Sequence, residues 1–157
     1  MPKVESLYIE VRVFKFEASK PKYLILHRSI NEPVYPGIFQ FITGKIEKGE
    51  TSTQAALREM YEEIKLLPKN FWSVPFVNSF YVQKIDIVNF SPVFLAEVQE
   101  NMLPILSAEH QSFQWLGFHE AYKLLTWQNQ RKALEVIHNF LIGKDDWGKH
   151  TKIELAN

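Results

Sequence analysis

The sequence predicts an α/β protein in which a mixed sheet lies between helical layers. Runs with the two-residue period of strands fill the first 45 residues and return after Pro68, and stretches with helical period follow Thr51 and Glu120. Several strands are consecutive and helices interrupt them, which favours a mixed sheet over a purely parallel one. The chain has 157 residues, enough to bury a core without disulfides or metals, and it is expected to form a single domain over residues 1–157. No internal repeat or low-complexity segment divides it.

Leu7 to Phe16 alternates Leu7, Ile9, Val11 and Val13 with Tyr8, Glu10 and Arg12, the pattern of a half-buried strand. Tyr23 to His27 is its expected hairpin partner across a turn at Ala18 to Lys22. Pro33, Pro36 and Gly37 make Asn31 to Gly37 a loop, and Phe39 to Ile42 a short strand entering a glycine turn at Thr43 and Gly44. A helix then starts with Thr51 as cap and Gln54 three residues on, a capping box. Its apolar stripe is Ala56, Leu57, Met60 and Ile64. Strands are expected at Val74 to Val82, Val93 to Val98 and Ser112 to Trp115. Helices follow at Glu120 to Leu125 and Gln130 to Ile142, where Ala133, Leu134, Ile137, Phe140 and Leu141 repeat. The polar tail from Asp145 onward reads as peripheral.

Eighteen basic and eighteen acidic residues cancel, so no global field draws the chain to a nucleic acid polymer or an anionic membrane. Any anionic ligand must be gripped locally. Cysteine is absent, which excludes a disulfide framework, a thiolate zinc site and a cysteine nucleophile, and accords with a cytoplasmic location. Its apolar runs are far shorter than the roughly 20 residues of a spanning helix, and the N-terminus lacks a signal-like apolar core.

The chemistry concentrates between Gly44 and Leu66. Glu59, Glu62 and Glu63 stand at i, i+3 and i+4, within about one quadrant of a helix at roughly 100° per residue. Such a face is usually solvated, yet like charges at i, i+4 cost about 0.2–0.5 kcal/mol and no cation stands at a matching offset, so a bound cation is expected to neutralise them. Arg58 and Glu50 supply a candidate ion pair between the helix and its leading loop.

These residues resemble the Nudix box: Gly44, five residues, Glu50, seven residues, Arg58-Glu59, Met60, any residue, Glu62-Glu63, any residue, then Lys65 where the family has glycine, and Leu66. With residue frequencies of about 5–8%, six matching positions arise by chance with a probability on the order of 10⁻⁷ per register. The resemblance implies the family's α/β/α sandwich and a Mg²⁺-dependent pyrophosphohydrolase, with Mn²⁺ as a substitute. It implies Glu59, Glu62, Glu63 and the Thr43 carbonyl as metal ligands, with Gly44, Glu50 and Arg58 supporting the box. Glu109 is the best general base outside the box, Glu59 the alternative. Lys65 in place of the glycine raises the cost of a left-handed helix exit by roughly 1–2 kcal/mol, so a different exit enforced by Pro68 is expected.

Arg28 and Lys45, near predicted strand ends, are candidates to hold phosphate oxygens, and Phe39 and Tyr81 to stack on a substrate ring. No histidine is read as a metal ligand. The tail, with Glu109, His110, Trp115, Leu116, Leu124, Trp127, Asn129 and Ala133, is similar to dihydroneopterin triphosphate pyrophosphohydrolases. A nucleoside triphosphate or dihydroneopterin triphosphate is therefore the expected small-molecule substrate. A diadenosine polyphosphate hydrolase and a non-catalytic Nudix-fold nucleotide sensor are the alternatives, although a sensor would typically lose box carboxylates. The oligomeric state is left open, a homodimer included.

Overall fold

The computed structural model describes residues 1–156. Strands β1 (Lys3–Glu5), β2 (Tyr8–Glu17), β3 (Lys20–Arg28), β4 (Phe39–Gln40) and β5 (Ile42–Lys45) precede helix α1 (Ser52–Ile64). Then come β6 (Asn70–Val82), β7 (Ile87–Glu97), β8 (His110–Leu116), α2 (Phe118–Leu124), α3 (Gln128–Leu141) and the short α4 (Gly148–Thr151).

β2 organises the sheet. Its first half pairs antiparallel with β5, its second half antiparallel with β3, and its other edge runs parallel to β7. Flanked on both edges and covered on both faces, Ile9 to Lys15 are all buried, so the strand is not half-buried as its alternation suggests. The polar positions survive there because Arg12 and Glu10 form an ion pair at 2.8 Å. The β2–β3 turn is tighter than expected. Ala18 and Ser19 both take positive φ, 49° and 63°, the two-residue geometry whose twist matches that of the flanking strands.

The expected strand at Phe39 to Ile42 splits, with β4 on β3 and β5 on β2. Gly44 therefore lies inside a strand opposite Ile9, not in a turn. The left-handed turn glycine is Gly49, at φ 85°. β6 and β7 form a long hairpin whose register shifts between Ser73 and Val77, around Pro75, which cannot donate to the ladder. β1, which has no periodicity of its own, adds parallel to β7, and β8 pairs with β3.

One apolar cluster joins Ala56, Met60 and Ile64 of α1 to Ile9, Val11, Val13, Leu24 and Leu26. A second joins Ala121, Leu134 and Ile137 of α2 and α3 to Phe14, Tyr23, Ile25 and Trp72. Helices thus cover both faces of a mixed sheet, the expected α/β/α sandwich. The tail is docked, contrary to its polar composition. Gly148 packs so closely on Phe140 that an added Cβ would meet the ring at 2.1 Å, and the Ile153 amide donates to the Phe71 carbonyl at 2.8 Å. Among the described residues no helix is long and apolar enough to cross a membrane.

Candidate active site

α1 is set at both ends. The Gln54 amide donates to Thr51 Oγ1 at 3.1 Å while Gln54 Oε1 accepts from the Thr51 amide at 2.9 Å, closing the capping box. At the far end Lys65 adopts the left-handed conformation, φ 57° and ψ 28°, its amide donating to the Tyr61 carbonyl at 2.9 Å. The exit expected of glycine is kept despite the lysine, correcting the expectation of an altered turn. The Lys65 ammonium lies 5.0 Å over the Tyr61 ring.

Arg58 is a hub. Its Nε and Nη2 donate to the two Glu50 oxygens at 2.6 and 2.9 Å, its Nη1 reaches Glu59 at 2.8 Å and Glu62 at 3.2 Å, and Nη2 also meets the Lys45 carbonyl at 2.9 Å. The acidic face is therefore not without a cation. One arginine anchors the 45–50 loop to the helix. Its hydrogen bonds hold the Glu50 carboxyl down at about 2, helped by the Glu47 amide. Gly44 explains itself by contact: a Cβ there would fall 2.2 Å from Glu59 Cγ and Cδ. The glutamate side chain lies against bare backbone.

Glu63 faces the interior, 3% exposed. The segment between β7 and β8 docks on the end of α1, where the Ser107 amide donates to the Glu63 carbonyl at 3.0 Å and the Ile105 amide to Ile64 at 2.8 Å. Two terminal carbonyls of α1 are satisfied in this way. The same segment brings Glu109 and His110 to Glu63, and one ligand atom from each of the three lies within 4.8 Å of the others. His110 Nε2 meets Glu63 Oε2 at 3.2 Å, and its Nδ1 is buried without a partner.

Burial, then the charges of Glu109 and Glu59, push the Glu63 carboxyl well above its usual range. Burial likewise raises Glu59 and lowers His110 to about 4. His110 is thus neutral near pH 7, and it holds one edge of a carboxylate that mutual repulsion disfavours. Such a crowded set of oxygen donors fits a divalent cation, whose charge removes the repulsion. In the sequence His110 stands in the tail resemblance beside Glu109, with no role at the metal site; its contact with Glu63 comes from the fold.

Beside this cluster opens a cleft of about 950 Å³, with Arg28, Thr43 and Tyr81 in its lining. Arg28 is braced by the Val34 carbonyl at 2.7 Å and Glu32 at 3.4 Å, and its charge is felt by both Glu63 and His110. The Tyr81 hydroxyl donates to Asp86 at 2.9 Å. Two expected ligand contacts lie elsewhere. Phe39 stacks on His27 at 4.3 Å and packs toward α2 and α3, and the Lys45 side chain is exposed outside the cleft, only its carbonyl being engaged. The cleft instead presents Glu10, Gln40, Asn78, Gln130, Tyr35 and Trp127. For Glu10, Gln40 and Asn78 the signal in the sequence was a polar residue within a strand; Trp127 belongs to the tail resemblance, while Gln130 on α3 and Tyr35 in a loop carried none.

A sandwich that gathers carboxylates on one helix beside a cation-edged cleft defines the class of Nudix hydrolases. The chain belongs to the Nudix family, the NUDIX domain matching residues 8–137. It is 30% identical over 113 residues to a dihydroneopterin triphosphate diphosphatase of Haemophilus influenzae, covering 64% of this chain and 70% of that protein. It is 31% identical over 103 residues to an asymmetrical bis(5'-nucleosyl)-tetraphosphatase of Sus scrofa, covering 62% and 68%. A further match, 29% identical over 136 residues to an octanoyltransferase of Myxococcus xanthus, covers 81% of this chain but only 35% of that protein. Among solved structures, a C. elegans Ap4A hydrolase binary complex superposes with a TM-score of 0.73 at 22% identity, over 89% of this chain and 98% of that one. The E. coli dihydroneopterin triphosphate pyrophosphohydrolase gives 0.70 at 23%, over 89% and 95%. These two likenesses concern the fold.

Proposed function

We propose that this chain is a single-domain, Mg²⁺-dependent pyrophosphohydrolase, with Mn²⁺ as a substitute, that splits a phosphoanhydride bond of a nucleoside triphosphate or of dihydroneopterin triphosphate. The observation that carries the reading is the cluster of Glu63, Glu109 and His110, which meets the cleft at Arg28. Glu59, Glu62, Glu63 and the Thr43 carbonyl would hold the ions. A divalent cation held there supplies Lewis acidity and neutralises polyphosphate charge.

The chain's own residues do the rest. Arg28 pairs with phosphate oxygens at the junction of cleft and cluster, fixing the polyphosphate for in-line attack. Glu109, exposed and next to Glu63, takes the proton of the attacking water as its oxygen bonds to phosphorus and the bridging P–O bond breaks; Glu59 is the alternative base. His110 orients Glu63, and the Arg58–Glu50 pair holds Glu59 and the loop in place. The zero formal charge supports a small-molecule substrate, and a sequence without cysteine accords with cytoplasmic action.

The test is a release assay with Mg²⁺ over nucleoside triphosphates, dihydroneopterin triphosphate and dinucleoside polyphosphates. Pyrophosphate with the matching monophosphate is the expected product pair. Absence of turnover across the panel would replace the enzyme with a nucleotide sensor.

A further inference from the structure

The wall of the cleft away from the carboxylates holds buried amides whose hydrogen bonds are incomplete. Glu10 is 3% exposed and tied to Arg12, whose guanidinium lies 4.5 Å over the Phe41 ring. Asn78 Nδ2 donates to Glu10 Oε2 at 2.6 Å, and Gln130 Nε2 faces Glu10 Oε1 at 3.5 Å. A carboxylate only accepts, so it turns both amide nitrogens toward itself and both amide oxygens away. Asn78 Oδ1 and Gln130 Oε1 are left without partners, as is Gln40 Nε2. The three residues are 8%, 4% and 6% exposed, and all line the cleft. Arg12 Nε and Nη2 are unmet too, but Arg12 does not line the cleft. Buried polar atoms are ordinarily satisfied, so the two acceptors and one donor unmet among the lining residues describe the complement of a ligand. At the cleft lining Tyr35 meets Trp127 edge to face at 5.1 Å, a surface for a flat ring.

We infer that the cleft selects a heterocycle bearing a 2-amino-4-oxopyrimidine edge, the group shared by guanine and pterin. Its ring N–H and 2-amino group offer two donors to Asn78 Oδ1 and Gln130 Oε1, and its carbonyl accepts from Gln40 Nε2. Adenine, with one amino donor beside a ring acceptor, leaves one of the two acceptors unmet. Uracil and thymine, with a single donor, do the same. This selection rests on the hydrolase reading only for the direction of the phosphates, toward Arg28. Recognition and hydrolysis can therefore fail separately.

The experiment compares kcat/KM in Mg²⁺ for the triphosphates of guanosine, inosine, adenosine and 7,8-dihydroneopterin, alongside equilibrium binding of non-hydrolysable guanosine and adenosine analogues. A guanosine or dihydroneopterin substrate at least about tenfold better than adenosine is expected, the larger of the two identifying the source of the edge, with inosine in between because it lacks the 2-amino group. In the Gln130→Leu variant the guanosine-to-adenosine ratio should shrink to within about threefold. Adenosine equal to or better than both would overturn the inference, as would an unchanged ratio in the folded variant. If nothing is hydrolysed, about tenfold tighter binding of the guanosine analogue still supports it, and equal binding overturns it.

Discussion

Gly44→Ala tests whether the position of Glu59 governs turnover. The new Cβ would lie 2.2 Å from Glu59 Cγ and Cδ and 2.6 Å from Oε1, against 3.4 Å or more for ordinary contact. Gly44 is paired with Ile9 on the central strand, so its backbone cannot retreat and the glutamate must move by roughly 1 Å or more. Overpacking typically costs about 1–3 kcal/mol; Glu59 is only half-buried and can rotate, so about 1 kcal/mol is expected, a melting drop of roughly 2–4 °C. The effect on rate should be far larger, because a misplacement of about 1 Å can cost on the order of 100-fold. Gly49→Ala is the control. Its φ of 85° strains an alanine by roughly 1 kcal/mol, but no atom lies within 4 Å of the added Cβ. Steady-state kcat and thermal melting on both variants should show similar melting losses and a rate loss for Gly44→Ala alone. If Gly44→Ala kept kcat within about threefold of wild type, the placement of Glu59 would have no part in catalysis.

Three further outcomes are expected. Lys65→Gly removes about 1–2 kcal/mol of left-handed strain and adds about 0.5–1 kcal/mol of unfolded-chain entropy, so calorimetry should show a melting rise of roughly 1–4 °C; a fall would contradict the strain. Glu63→Gln should lower turnover at least about 100-fold and abolish the Mg²⁺-induced melting rise, which for a site at 100 times Kd amounts to about 2.7 kcal/mol. Without metal the same variant should melt no lower than wild type, since the glutamine removes a carboxyl that burial, and then repulsion from Glu109 and Glu59, push up. Glu50, lowered to about 2, stabilises the fold when ionised, so its contribution is complete above about pH 4.5 and vanishes as pH falls through about 2. Urea midpoints of wild type and Glu50→Gln should therefore converge toward pH 2, and a gap that persisted there would rule out the Arg58 bond as its source.

The box and the order of elements could be read directly because both are local. Thr51 and Gln54 cap the helix within one turn, and Glu50, Arg58, Glu59, Glu62 and Glu63 lie close enough in sequence for helical spacing to bring them together. The same locality misled where long-range pairing decides. Alternation along β2 looked half-buried, but β7, β5 and β3 closed around it and drove Glu10 and Arg12 into an ion pair. Phe39 and Lys45 sat near the right strand ends, yet the side each side chain takes depends on which strand accepts it.

The sequence by itself determined the acidic helix and its arginine clamp, since backbone periodicity places residues three and four apart on one face whatever surrounds them. Only the tertiary structure decided that Glu109 and His110, 46 and 47 residues beyond Glu63, would meet it through amides that satisfy the end of α1. It also decided that Asn78 and Gln130 would converge on Glu10, because hydrogen-bond demand in a closed interior is settled between distant segments.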